Sequence, residues 1–503
     1  LLKDGPRPEL AHYQAINMLK VPDTFNEIVL RWQSLAIPQQ WLTLHLLCQL
    51  FSQKMNDAEA AIQNWKKLTD EQGITGKALV TAVQVINPTT GKGANSSKSN
   101  RLSVGGLESF WLLELLKFKG FMLGATPYVI KGSKDRKTYV ILPAKVELGT
   151  LTTMMGLFRE VCWSSTAVKQ DILASLRLTQ VLLKHRQEEL TSVQGQKAWR
   201  PAPLISIAQG FDITSYKDMG SAHATINIAT INVPNWFPNL APSQFAEGEQ
   251  LEALDVLLQE HIRIIRRIEG HQGKEGSDEL KLLQAYRDFL SGHDLQPFWR
   301  FAALYGGYLF RQREHEKDVK RWLPQLTKKG LDLFIMNQQQ PEKRLGTITD
   351  KPGFQHIASA IREATVRAQR RVSQENDNRY EIRYGLNQKL LGKARSRNEF
   401  MTALSEFIVL YNAETAREEE KLAKRLAKRL SADDYRTHKL RYPVTTADIE
   451  QFGELLDTYP TELVATMLVA YGYARLEILK KEEAEMLDEH VSDELEARQD
   501  ENE

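Results

Sequence analysis

The sequence predicts an α+β amino-terminal region, mostly helical, followed by an all-α carboxy-terminal helical bundle. Three observations carry that prediction. Apolar residues recur at three- and four-residue steps through most of the chain, the period of a helix with one buried face. Short runs rich in β-branched and aromatic residues, separated by turn residues, are confined to the first half, at 79–86, 128–142 and 204–233. Beyond the break Gln338-Gln-Gln-Pro341 such runs stop and helical stripes alone remain.

Taken in order, the first 70 residues read as helices. Trp32, Leu35, Trp41, Leu44, Leu47 and Phe51 follow helical spacing, interrupted at Pro38, and are expected in a core, as is Cys48 in the same apolar stretch. After the β-rich run 79–86, residues 89–101 hold no purely apolar side chain larger than Ala, which predicts a long loop. Residues 107–118 are helical by apolar spacing. Tyr128-Val-Ile130 and Tyr139-Val-Ile-Leu142 flank the turn Lys131-Gly-Ser-Lys-Asp135, so this segment reads as a β-hairpin. Helices are predicted over 151–190, strands within 204–233, and long helices over 250–269 and 277–313.

Phe354, Ile357, Ala358, Ile361, Ala364 and Ala368 form one helical stripe of the bundle, and Phe400, Leu404, Phe407, Ile408 and Tyr411 another, opened by the capping-box pair Ser396 and Glu399. Thr445 and Asp448 announce a third helix, which carries Ile449, Phe452, Leu455 and Leu456. Residues 463–474 are apolar nearly all round, as a central helix would be. The last stretch, 481–503, holds 11 acids against Lys481 and Arg498 and reads as a solvated or disordered tail. The predicted organisation is therefore a mixed α/β region over 1–340, one domain or two fused, a helical bundle over 341–480, and the acidic tail. Met336, just before the Gln-rich break, offers an internal start from which the bundle could be made as a separate small subunit.

Composition excludes several functions. A chain of 503 residues with 66 Lys and Arg against 64 Asp and Glu carries a formal charge of +2, so any basic face is local. No apolar run approaches the roughly 20 residues of a membrane-spanning helix, and no secretory leader opens the chain, which predicts a cytoplasmic protein without a membrane partner. Cys48 and Cys162 are too few for a disulfide framework and lack the paired spacing of a zinc site. Gly91-Lys92-Gly93 has neither the spacing nor the setting of a nucleotide-binding loop. His293-Asp294 is the one adjacent His-Asp pair, but a metal-dependent phosphohydrolase needs further ligands, and Asp294 with Pro297 reads as a helix start. The expectation is a protein that is not an enzyme, with no cofactor, no metal and no catalytic residue.

The charge is unevenly placed. Between Arg362 and Arg397 ten basic residues face four acids, a net +6 in an otherwise balanced chain. Arg367, Arg370 and Arg371 stand at i, i+3 and i+4 on one helix face and could follow phosphates, although a solvated face is the ordinary use of such a row. Arg379 and Arg383 lie beside Tyr380 and Tyr384, aromatics able to stack on bases. The alternation of acids and bases over 418–429 reads as an exposed helix with charge pairing. The predicted loop sets Lys92, Asn95, Ser96, Lys98, Asn100 and Arg101 on a glycine-containing segment without acids, donors suited to phosphates and groove edges. The hairpin turn adds Lys131, Lys134, Arg136 and Lys137 as a second basic projection.

Three stretches together resemble one family. Residues 110–116, Phe-Trp-Leu-Leu-Glu-Leu-Leu, on to Tyr139-Val-Ile-Leu-Pro143 are similar to the amino-terminal region of large subunits of type I CRISPR surveillance complexes (Cascade) of subtypes A and B. Tyr380-Glu-Ile-Arg-Tyr-Gly-Leu386, the segment from Glu399 to Asn412, and Met467-Leu-Val-Ala-Tyr-Gly-Tyr473 resemble its carboxy-terminal, small-subunit-like helical domain. The resemblance covers about half of the chain and rests on packing segments. It implies a non-catalytic DNA reader that recognises the protospacer-adjacent motif beside a guide-paired target, stabilises the opened strand, and leaves cleavage to another protein. Implied partners are target double-stranded DNA, guide RNA, the backbone, guide-end-binding and small subunits, and a helicase-nuclease or transposition factors. No family motif marks the motif-reading residues. The six loop residues are assigned that role on the physical argument above, the four hairpin residues contact flanking phosphates, and Arg367, Arg370, Arg371, Arg379 and Arg383 hold the displaced strand. The alternative is an RNA-binding ribonucleoprotein scaffold outside CRISPR.

Overall fold

Strand alternation and helix capping account for the elements in turn. The computed structural model describes residues 22–52, 58–74, 111–192, 207–219, 223–233, 247–269, 275–292, 295–316, 322–336, 345–426 and 441–476. Packing divides the chain into two units, Leu1–Pro234 and Asn235–Glu503. The described residues are mostly helical; a four-stranded antiparallel sheet lies in the first unit, and the carboxy-terminal part is all helix.

The first unit opens with α1 (Pro22–Ser34), α2 (Ile37–Ser52), α3 (Ala58–Glu71) and α4 (Trp111–Gly124). Ile28, Leu46, Leu47, Leu50, Trp65, Leu112 and Phe118 close into one apolar cluster, with Trp32, Leu35 and Leu44 packed at its border. Two expected core residues are not in it: Trp41 is 70% exposed and Cys48 is exposed. The inward row of α2 is Thr43, Leu46, Leu47 and Leu50, the i, i+3, i+4, i+7 pattern of one helix face, and positions 41 and 48 fall off that row.

The sheet is a meander of β1 (Ala125–Val129), β2 (Arg136–Pro143), β3 (Ala208–Asp218) and β4 (His223–Asn232), with Tyr139 opposite Ile213 and Phe211 opposite Ile231. The predicted hairpin is the pair β1 and β2. Gly132 has φ +82°, a conformation other residues adopt only with strain, and lets the turn close. The face bearing Tyr139, Ile141, Phe211 and Ile213 is buried under α5 (Leu148–Val161) and α6 (Ala167–Ser192); Phe158 meets Phe211 at 4.9 Å between ring centres. Each such buried aromatic contributes roughly 1.5–3 kcal/mol of apolar burial.

The second unit runs α7 (Glu247–Arg267), α8 (Ser277–Ser291), α9 (Gln296–His315), α10 (Lys328–Met336), α11 (Gly346–Thr349), α12 (Pro352–Ala364), α13 (Val366–Glu375), α14 (Leu386–Lys393), α15 (Arg397–Leu426), α16 (Thr446–Thr458) and α17 (Thr461–Tyr473). Residues 277–313 form two helices, since Gly292 ends α8 and Pro297 lies in the first turn of α9. The stripe drawn from Phe354 to Ala368 is likewise broken at Thr365, between α12 and α13. The Thr445 capping box is formed in both directions: Asp448 N–H donates to Thr445 Oγ1 at 3.2 Å, and Thr445 N–H donates to Asp448 Oδ2 at 2.9 Å. At Ser396 one half is present, the Glu399 N–H at 3.5 Å, while the Glu399 carboxylate takes a hydrogen bond from Lys393 instead.

Helix α17 is buried from Val464 to Tyr473, as its all-round apolar character predicts. It packs against α9, α12 and α14. A side chain at Gly306 would run into Tyr473 of α17, and one at Gly307 into Asn387 of α14, so these two glycines set the close approach of α9. The packing thus does not divide at the break near 340. Gln325 Nε2 donates to Tyr473 O at 2.6 Å, and Thr327 bridges Arg475 in a parallel pair, so residues from 295 onward belong to the same body as the bundle. The β-rich run 79–86, the loop 89–101, the Gln-rich break itself and the tail 481–503 lie outside the described residues. Among the described residues no helix is long and apolar enough to cross a membrane.

Candidate nucleic-acid interface

The predicted basic residues fall in two separate settings. In the first unit the turn joining β1 and β2 is held by Ile130 N–H donating to Asp135 O at 2.8 Å and Ser133 N–H to Ile130 O at 3.1 Å. Asp135 also accepts the Asp218 N–H through Oδ1 at 3.0 Å, which ties the end of β3 to the turn. Lys131 N–H donates to Ser165 O at 2.9 Å, which brings the α5–α6 connection to the same end of the sheet. Lys131 and Lys134 are exposed there, and neither forms an ion pair among the described residues. Arg136 is partly buried with Asp218 nearby, and burial lowers its pKa from the ordinary value.

Lys137 does not join them. Its ammonium is buried behind the sheet, 2.8 Å from Asp171 Oδ1, and donates to Ala167 O at 2.7 Å. Tyr139 donates to the same carboxylate oxygen at 2.8 Å, and burial, with the Asp171 charge, pushes its hydroxyl pKa well up. This buried trio fastens β2 to α6, and Lys137 is thereby removed from the phosphate contacts expected of it. Close by, burial pushes the Cys162 thiol up to about 12, so it is inert at neutral pH.

In the second unit the five arginines assigned to a displaced strand are for the most part already partnered. Arg371 is buried, its Nη2 2.9 Å from Glu363 Oε2; Arg367 Nη1 is 2.9 Å from Glu363 Oε1. Arg383 is paired with Glu414 and, through Nη1, lies 2.8 Å from Glu381. Arg379 grips Asp377 with Nε and Nη2, at 2.8 and 2.6 Å, and that hydrogen bonding holds the Asp377 carboxyl at about 2. Arg370 is the exception among the five: it is exposed, hydrogen-bonded to Gln374 at 2.7 Å, and has no acid partner among the described residues. Net positive charge along the sequence therefore does not become a row of free cations, because Glu363 and Glu414, on α12 and α15, reach across to it.

Sequence spacing missed the centre of this network. The Arg441 guanidinium lies 3.6 Å over the ring of Tyr380 and 5.5 Å from Tyr411, donates to Glu363 O at 2.7 Å and sits 3.5 Å from Glu414 Oε2; burial pulls its pKa down to about 10. Tyr380, expected to meet bases, is buried by this stack, and Tyr384 is half exposed with its ring on Phe310 at 5.1 Å. The ion pairs Lys421–Glu418 and Lys424–Glu420 match the charge pairing read along α15.

The loop residues Lys92, Asn95, Ser96, Lys98, Asn100 and Arg101, and the pair His293-Asp294, lie outside the described residues. Among the described residues no three metal-capable side chains come together. Two further exposed groups stand at the hairpin end of the sheet and were not signalled by the sequence, Lys217 on β3 and Trp163 in the α5–α6 connection. Compared with known proteins, the chain matches no family model, no curated protein and no solved structure.

Proposed function

We propose that this chain is a non-catalytic DNA-recognition subunit of an RNA-guided CRISPR surveillance complex, which reads the protospacer-adjacent motif and stabilises the opened target DNA. The observation that carries DNA contact is the hairpin end of the sheet, where Lys131 and Lys134 project without acid partners among the described residues from a turn pinned by five hydrogen bonds. Uncompensated cations on an ordered turn suit phosphates, since binding neither breaks an intramolecular ion pair nor has to order the turn. The CRISPR setting rests on the sequence resemblance alone.

The test is capture of target duplex by the assembled complex with guide RNA, across a salt series. Lys131→Ala with Lys134→Ala is expected to weaken capture for every adjacent motif and to flatten the plot of log affinity against log salt by about 1.4 to 1.8, near 0.7 per phosphate contact on an opened strand and 0.9 on duplex. Capture that needs neither guide RNA nor a particular adjacent motif would sink the proposal and favour the RNA-binding scaffold.

A further inference from the structure

Trp163 is 64% exposed, although the residue before it, Cys162, is buried. Its backbone is not free to choose. Cys162 ends α5 with its N–H on Phe158 O at 2.9 Å, Ser165 O accepts the Lys131 N–H, and Thr166 O accepts the Gln170 N–H at 2.8 Å as α6 begins. The connection is therefore fixed on both sides of Trp163, which leaves it with its indole exposed at the end of the sheet. That same end carries Lys131 and Lys134 on the turn and Lys217 near the end of β3, all exposed and without ion-pair partners among the described residues. Asp135, Asp218 and the exposed Glu160 in the last turn of α5 are the acids of this end; Asp135 accepts the Asp218 N–H and Asp218 lies beside Arg136.

A solvent-facing indole on a fixed connection, at the same end of the sheet as three unpaired lysines, has the chemistry of a single-stranded nucleic-acid contact. A base has a π-face for the indole, and the phosphates on either side complement the ammonium groups; a duplex keeps its bases stacked and offers no such face except at an end. We infer that the hairpin end binds an unpaired nucleotide strand, with Trp163 as the stacking platform and Lys131, Lys134 and Lys217 as its phosphate contacts. The inference deepens the proposed DNA-recognition role, on which it rests, by naming the unpaired strand as the ligand of this surface.

The experiment is binding of a fluorescein-labelled oligo(dT) to the full chain across a salt series, read by anisotropy. Trp163→Ala is expected to weaken binding roughly 10-fold, while Trp163→Phe keeps most of the affinity, because stacking and not charge is removed. Lys131→Ala, Lys134→Ala and Lys217→Ala together should flatten the log–log salt slope by about 2, near 0.7 per single-strand contact. All four side chains are exposed, so circular dichroism of the variants should match wild type. Oligo(dT) binding that is absent from the full chain, or equal in wild type and Trp163→Ala, overturns the inference. Motif-dependent capture of duplex by the assembled complex is scored separately: if it persists in Trp163→Ala alongside unchanged oligo(dT) binding, this inference fails and the proposed function stands. If oligo(dT) binding depends on Trp163 but the complex shows no dependence on guide or motif, the platform stands and the CRISPR reading falls.

Discussion

At the scale of single residues, charge decides by its partners and not by its count. Lys137 is two positions from Tyr139 along β2, so its side chain is on the covered face of the sheet, where Asp171 meets it. Lys137→Ala leaves a buried carboxylate unpaired and should cost about 3–5 kcal/mol, measured by urea unfolding; the double variant with Asp171→Ala should cost less than that single change. An unaltered unfolding midpoint in Lys137→Ala would return the residue to the surface. Arg441→Ala is expected to be similarly severe, since it exposes the Tyr380 face and strips Glu363 O and Glu414 of a donor, whereas Arg370→Ala, with its exposed head on Gln374, should change stability by less than about 0.5 kcal/mol. The sequence showed where arginines concentrate. It could not show that Glu363, Glu414 and Arg441, separated by dozens of residues, close on them, because neither i+4 spacing nor local net charge carries information about packing between helices.

Elements were more legible where a local signal sets them. The hairpin, the Thr445 box and the buried α17 follow from turn residues, a cap and an apolar run, all contained within a few residues. Thr445→Ala should lower stability by about 1 kcal/mol, as the loss of a helix cap does, and a larger loss would show that the His356–Asp448 contact at 2.7 Å depends on the cap too. Helix breaks at Gly292 and Thr365 were less visible, since an apolar stripe can run on across a kink. Another junction of elements is chemical: Glu260 of α7 accepts the Thr327 N–H at 2.9 Å and Thr327 Oγ1–H at 2.7 Å at the start of α10. Burial outweighs those hydrogen bonds and raises its carboxyl to about 7. The folded state then holds a proton that the unfolded chain has released, so stability should fall as pH rises from about 4.5 to 7 and level off above that. In Glu260→Gln that fall should shrink, and equal slopes of melting temperature against pH in the two proteins would refute the assignment.

At the scale of the whole molecule, the fold class was readable because period and composition change along the chain, but the division between bodies was not. The Gln-rich break suggested a boundary near 340, yet α9 supplies Trp299, Gly306 and Phe310 to the packing around α17. A fragment starting near Met336 should therefore expose that apolar face and aggregate or remain unfolded, while a fragment from Asn235 onward should melt cooperatively; limited proteolysis and circular dichroism of the two would decide. An independently folded product of an internal start near Met336 would contradict this packing. The pairing of Thr327 with Arg475 has a mechanical side. Lys328 N–H donates to Arg475 O at 2.7 Å and Arg475 N–H to Leu326 O at 2.8 Å, one residue before Leu476. Tension applied to the chain downstream is passed sideways through these bonds to α10, and through Thr327 to Glu260 on α7, before it can unwind the last turn of α17. Arg475 is thus an anchorage, a fixed point from which anything joined beyond it is hung.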